Sequence, residues 1–171
     1  MDTRQIASIL HSCPTTNSVF RGVFPLDKIK SEHGSSGIYV CNTHPSNKPG
    51  EHWIVIVISP NGGGGEYFDS FGLPPQHQEF SDFLNKNTSS SSTWLYNHER
   101  VQHPLSTVCG HYCVLYALNF ARNRNMEQFI ALFDKKNCFE NDIIVHEYVN
   151  SAFGVNVPLI DVNMIVNQLG Y

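Results

Sequence analysis

Apolar runs and polar, Pro- or Gly-bearing breaks alternate along the chain, and the spacing inside each run predicts its element. From Asp2 to His11, Ile6, Ile9 and Leu10 share one helical face, with Asp2 placed to cap and Gln5 to complete a capping box. Phe20 to Phe24 reads as a short extended piece stopped by Pro25, and Gly37 to Asn42 as a strand. His52 to Ser59 is an unbroken β-branched run, which predicts a strand buried on both faces. Pro60-Asn61 and four glycines, Gly62 to Gly65, form the turn of a hairpin whose returning strand is Glu66 to Phe71. A helix is predicted over Gln76 to Asn85 with Phe80, Phe83 and Leu84 inward, then a strand over Thr93 to Asn97. Further helices follow: one capped by Asn125 and carrying Met126, Phe129, Ile130 and Phe133, one over Asn141 to Phe153 ended by Gly154, and one over Asp161 to Leu169.

The segment Cys109 to Leu118 differs from these helices. It has no helix breaker after Gly110 and is apolar on nearly every side, which marks a buried helix ending near Arg122 or Asn123. The sum is an α+β domain: a small mixed sheet packed on a buried central helix that starts at Cys109, with further helices around it. With 171 residues, one domain over 1–171 is predicted.

Composition removes several function classes. A net charge of −4 with 11 Lys and Arg against 15 acids offers no bulk basic surface for nucleic acid. No apolar run reaches membrane-spanning length, and Met1 to Gln5 lacks the basic-then-apolar start of a secretory signal. Five cysteines without regular spacing do not read as a disulfide framework, so free thiols in a reducing compartment are expected.

The candidate chemistry is nucleophilic. A cysteine in the first turn of a buried helix sits at the positive end of the helix dipole, where the thiolate is favoured. A thiolate needs a base that later protonates the leaving amine, and histidine does both near neutral pH. His52 opens the buried strand. Asp69 lies on the returning strand, where apolar neighbours demand a partner for a carboxylate. Glu66 is the nearest substitute for it. Acyl transfer also needs donors aimed at the developing oxyanion. The amide of Cys109, that of Gly110, and the side chain of Gln102, seven positions upstream, are the candidates. His52, Asp69, Gln102 and Cys109 thus form a candidate catalytic set. Cys113, one turn after Cys109, reads as core, and Trp53 reads equally as core, as cover for the dyad or as a wall of the groove. Cys109-x-His111-x-Cys113 is a poor zinc site, because His111 points away from both cysteines on a helix. No cofactor is called for. The remaining histidines read as surface residues.

His52-Trp53, Asp69, Gln102 and Cys109-Gly110, in this order and with these gaps, resemble the adenovirus protease (adenain) family, including its virophage and Polinton-type relatives, and more distantly the SUMO-specific proteases. Val101-Gln102-His103-Pro104-Leu105-Ser106-Thr107-Val108-Cys109-Gly110 is similar to adenain's Val-Gln-Gly-Pro-Asn-Ser-Ala-Ala-Cys-Gly. The likeness runs from about Ile6 to Ala121. It implies a cysteine endopeptidase that matures capsid and core precursors at small-residue, Gly-containing sites, monomeric, in the virion and the host-cell interior. By the same resemblance His52 is the general base, Cys109 the nucleophile and Gln102 the oxyanion donor, and Asp69 stands where adenain has Glu. Adenain also takes an activating peptide through a disulfide and is activated by DNA. The position matching its peptide-binding cysteine is Ser91, so a disulfide-held peptide is not expected; a non-covalent one adding a strand to the sheet edge is compatible with the chain. DNA activation is doubtful, because Arg122 with Arg124 and Lys135 with Lys136 are the notable basic pairs.

Three other readings use the same residues. An isopeptidase for a ubiquitin-like modifier would also need a narrow cleft for Gly-Gly. However, SUMO proteases place their glutamine six residues before the cysteine and an Asp directly before it, where this chain has Val108. An acetyltransferase would load Cys109 from acetyl-CoA. A capsid-bound protein with a decayed protease fold is disfavoured by the intact set of four.

Overall fold

A computed structural model of the chain describes residues 1–30, 35–60, 63–89 and 93–160. Five strands form one mixed sheet in chain order: β1 (Phe20–Pro25), β2 (Gly37–Asn42), β3 (Trp53–Ile58), β4 (Gly65–Phe68) and β5 (Trp94–Tyr96). The β2-β3 and β3-β4 pairs are antiparallel, whereas both edge strands pair in parallel with their neighbours. Among the described residues five α-helices complete it: α1 (Thr3–Ser12), α2 (Gln78–Asn87), α3 (Cys109–Ala121), α4 (Met126–Ile130) and α5 (Cys138–Phe153). The α+β architecture with a buried helix against a small sheet is the one the patterning predicts.

The two-residue period of β3 divides the interior. Trp53, Val55 and Val57 face one core with α3, while Ile54, Ile56 and Ile58 face a second core with Phe80, Phe83 and Leu84 of α2. Every residue of β3 is therefore buried. Ten of the thirteen α3 residues are buried, because the sheet covers one side of the helix while α1, α4 and α5 close on it elsewhere. Phe68 stacks on Tyr116 at 4.3 Å, with Phe129 edge-on to both, so β4, α3 and α4 lock through aromatic geometry as well as area.

Element ends depart from expectation in instructive ways. Helix α1 has the anticipated Asp2 cap and Gln5 capping box, but α2 starts two residues late, at Gln78. Helix α4 ends at Ile130, so Phe133 reaches the core from a turn rather than from the helix. Helix α5 starts three residues early, where Asn137 caps it through the amide of Glu140. The anticipated Asp161–Leu169 helix lies outside the described residues. Among the described residues no helix is long and apolar enough to cross a membrane.

Candidate active site

His52 stands one residue before β3, and its carbonyl accepts from Thr43 at 2.9 Å. Asp69 stands one residue past β4 rather than on it, which corrects the longer returning strand expected from the pattern. The reason is competition for its backbone. Asn97 takes the Asp69 amide on its Oδ1 at 2.9 Å and donates Nδ2 to the Asp69 carbonyl at 2.6 Å, drawing residue 69 out of the ladder. The carboxylate then turns back, its Oδ1 accepting from the Phe71 amide at 2.8 Å and facing His52 Nε2 at 2.8 Å. Phe71 stacks on the imidazole at 4.7 Å, so the ring is held at its edge by Asp69 and on its face by Phe71.

With Nε2 on Asp69, Nδ1 is the ring nitrogen left for Cys109, which lines the same cleft and interacts with the ring. Val108 precedes α3 without a side-chain cap, so no capping oxygen covers its first-turn amides. Burial opposes charge on both partners. For His52 it is outweighed by Asp69 and by the thiolate, and the imidazolium is stabilised up to about 10. For Cys109 it is outweighed by His52 and by the Trp53 amide, and the thiol falls below its ordinary range. Cys41 and Cys113, equally buried but without such partners, are pushed up instead. Of Cys41, Cys109 and Cys113, only Cys109 has its thiolate favoured by its surroundings, and it is the one beside the His52 imidazole.

Gln102 is fully buried. Its Oε1 accepts from Ser70 Oγ at 2.5 Å, and because a carbonyl only accepts, the Ser106 carbonyl at the other end fixes which atom is the nitrogen. Its Nε2 meets the carbonyl of Ser106 at 3.0 Å and Ser106 Oγ at 3.1 Å. Asp69 and Ser70 are consecutive, so one dipeptide orients both the imidazole and the glutamine amide. Glu66, the alternative carboxylate, is spent elsewhere: its side chain accepts from Tyr116 Oη, far along β4 from His52. His111 turns to Asn150 Oδ1 at 3.1 Å, not to a cysteine. Nor is His146 a plain surface residue, since its Nε2 lies 2.5 Å from the Val157 carbonyl.

His52, Trp53, Asp69, Phe71, Gln102 and Cys109 line one open cleft of about 760 Å³. The four residues singled out in the sequence therefore meet at one place. Ser70, Asn97 and Ser106 were not anticipated; Ser70, as neighbour of Asp69, and Ser106, as a residue shared with the adenain stretch, carried signals that could have been used. Among the described residues no group of three His, Cys, Asp or Glu side chains is arranged to hold a metal.

No protein-family model matches the chain. Among curated proteins it is similar to the protein named Protease of Porcine adenovirus A serotype 3, with 28% identity over 94 residues, 48% of this chain and 46% of that protein. The chain thus spans about half the length of the curated relative it matches. Among solved structures it resembles the ASFV pS273R protease, with TM-score 0.62 and 17% identity over 80% of this chain and 63% of that one. It also resembles the SUMO protease Ulp1, with TM-score 0.52 and 15% identity over 90% of this chain and 78% of that one. The fold is the one shared by these viral and SUMO-specific proteases. In sequence, the likeness is to the adenovirus protease.

Proposed function

We propose that the protein is a cysteine endopeptidase in which Cys109 is the nucleophile, His52 the base and acid, Asp69 the orienting carboxylate and Gln102 an oxyanion donor. The observation that carries this reading is a single imidazole shared by a buried carboxylate, Asp69, and a buried thiol whose ionisation is favoured, Cys109. The Cys109 thiolate attacks the scissile carbonyl, and charge moves onto its oxygen, where the Cys109 amide and Gln102 Nε2 donate. The His52 imidazolium passes its proton to the leaving amine. The thioester is then hydrolysed by a water that the neutral His52 deprotonates. To serve the oxyanion, Nε2 exchanges its contact with Ser106 Oγ for one with the substrate.

The substrates are precursor proteins of a virus or viral element, cut at small-residue, Gly-containing sites, with the protein acting as a single-domain monomer in the virion and the infected cell. The sequence likeness to an adenovirus protease, together with the seven-position gap from Gln102 to Cys109, supports this class. The fold likeness to Ulp1 over 90% of the chain supports a second reading, removal of a ubiquitin-like modifier. A peptide-library digest by the wild type and Cys109→Ala, run beside ubiquitin- and SUMO-aminoluciferin substrates, decides. Cleavage after Gly-containing motifs, lost in the alanine variant, is the expected result. Turnover of the modifier substrates alone would move the assignment to the second reading, and turnover by Cys109→Ala would end both.

A further inference from the structure

The loop that carries Gln102 is fastened from a helix that takes no part in the dyad. Asn141 and Asp142 sit side by side in the first half of α5 and hold the peptide groups on either side of Gln102. Asn141 Nδ2 donates to the Val101 carbonyl at 3.1 Å, and Asp142 Oδ2 accepts from the His103 amide at 3.0 Å. From the sheet side, the Ser70 carbonyl accepts both the Val101 and Gln102 amides at 3.0 Å. Asp142 is completely buried, and no Lys or Arg forms an ion pair with it among the described residues. The groups facing it are Tyr112 from α3 and His103 and Ser106 from the loop itself.

Tyr112 has one proton to share between two acceptors. Its hydroxyl lies 2.9 Å from the Val101 carbonyl and 2.9 Å from Asp142 Oδ1. With Asp142 ionised, one of these short contacts sets lone pair against lone pair. With Asp142 protonated on Oδ1, both are satisfied: Asp142 donates to Tyr112, Tyr112 donates to Val101, and Oδ2 still accepts from His103. Burial pushes the carboxyl in the same direction, above its ordinary range, against the opposing pull of its Ser106, His103 and Tyr112 hydrogen bonds.

We propose that Asp142, held as a neutral carboxylic acid, is a positioning residue for Gln102, fixing through His103 and Tyr112 the backbone from which the amide reaches the oxyanion. The proposal rests on the protease reading for its consequence in catalysis, but not for the state of the carboxyl. It separates two substitutions that a charge-based role would group together. In Asp142→Asn, the new amide can donate to Tyr112 and its oxygen can accept from His103, so the whole network survives. In Asp142→Leu, of similar size, both contacts are lost.

The test measures peptide hydrolysis by both variants, alone and combined with Gln102→Ala, with two readouts that need no turnover: iodoacetamide alkylation of Cys109 and hydrogen exchange at the His103 amide. Asp142→Asn is expected within about twofold of wild type. Asp142→Leu is expected to lose about 10- to 100-fold in kcat with KM and Cys109 alkylation unchanged. It should have no further effect once Gln102 is alanine, since residues acting as one unit are non-additive. The His103 amide should stay protected in Asp142→Asn and exchange faster in Asp142→Leu. The proposal is overturned if Asp142→Asn fails as Asp142→Leu does, or if Asp142→Leu slows Cys109 alkylation. It is also overturned if Asp142→Leu lowers kcat equally in the Gln102→Ala background. A wild type that hydrolyses no peptide would end the protease reading instead, and the His103 exchange would still decide the claim about Asp142.

Discussion

The edge of the His52 ring is held by one oxygen, Asp69 Oδ1, and that oxygen also caps the Phe71 amide. Replacing Asp69 by Asn removes the charge that stabilises the imidazolium while keeping the shape. Activity is expected to fall, but by less than in His52→Ala, whereas Glu66→Gln, on Tyr116, should be near silent. The reverse order in a kcat comparison would show that the wrong carboxylate has been assigned. Gln102→Ala should cost on the order of 10²–10³ in kcat, the scale of one oxyanion donor. Ser106→Ala should lower kcat far less, because it leaves the Gln102 amide and its Ser106 carbonyl partner in place and removes only hydroxyl contacts, to Nε2, to the His103 carbonyl and to Asp142; a matching fall in both variants would assign the donor to Ser106. The candidate residues that meet in the cleft were legible because the roles proposed for them draw on few residue types, and their order along the chain is distinctive. Asn97 and Asp142 were not, because their roles are hydrogen bonds made 28 and 39 residues away in sequence, and neither residue type announces such a partner.

Elements were read most securely where one period ran unopposed. Strand β3 and helix α3 lie within the runs that predicted them; β3 gives up only the polar ends of its run, His52 and Ser59, and α3 starts at Cys109 as expected. Boundaries moved where a side chain competed for backbone groups, as Asn97 does at the end of β4 and Asn137 at the start of α5. The turn after β4 is the element on which the site depends most. Its carbonyl at Asp69 accepts from the Gly72 amide at 2.8 Å, and Gly72 has φ +71°. A Cβ at Gly72 would lie 2.6 Å from the Glu99 carbonyl carbon and 2.7 Å from the Arg100 amide. Neither backbone can give way cheaply, and the left-handed conformation adds strain. Gly72→Ala is therefore expected to cost at least about 1–3 kcal/mol in denaturant unfolding and to lower kcat by displacing Asp69. An alanine variant with unchanged midpoint and activity would show that this turn does not position the carboxylate.

At the scale of the whole molecule, electrostatics argue against a nucleic-acid requirement. The net charge is −4, and Lys135, half of one basic pair, is already bound to Glu99 at 2.5 Å. The rate of peptide hydrolysis is expected to change little on adding duplex DNA and to need no covalently attached peptide. A large, salt-sensitive rise in kcat/KM with DNA would show that a local patch overrides the total. The central claim is that Cys109 and His52 stand as thiolate and imidazolium. It is tested most directly by the rate of iodoacetamide alkylation at each cysteine as a function of pH, in the wild type and in His52→Ala. Cys109's folded pKa is depressed and that of His52 raised toward about 10, so the ion pair forms as pH rises through the former and persists until the latter. Cys109 should then react rapidly in slightly acidic buffer, ahead of Cys13, Cys41, Cys113 and Cys138. Its reactivity should hold a plateau through neutral pH, and its midpoint should move upward in His52→Ala. Equal labelling of the five thiols, or a Cys109 midpoint that His52→Ala leaves in place, would contradict it.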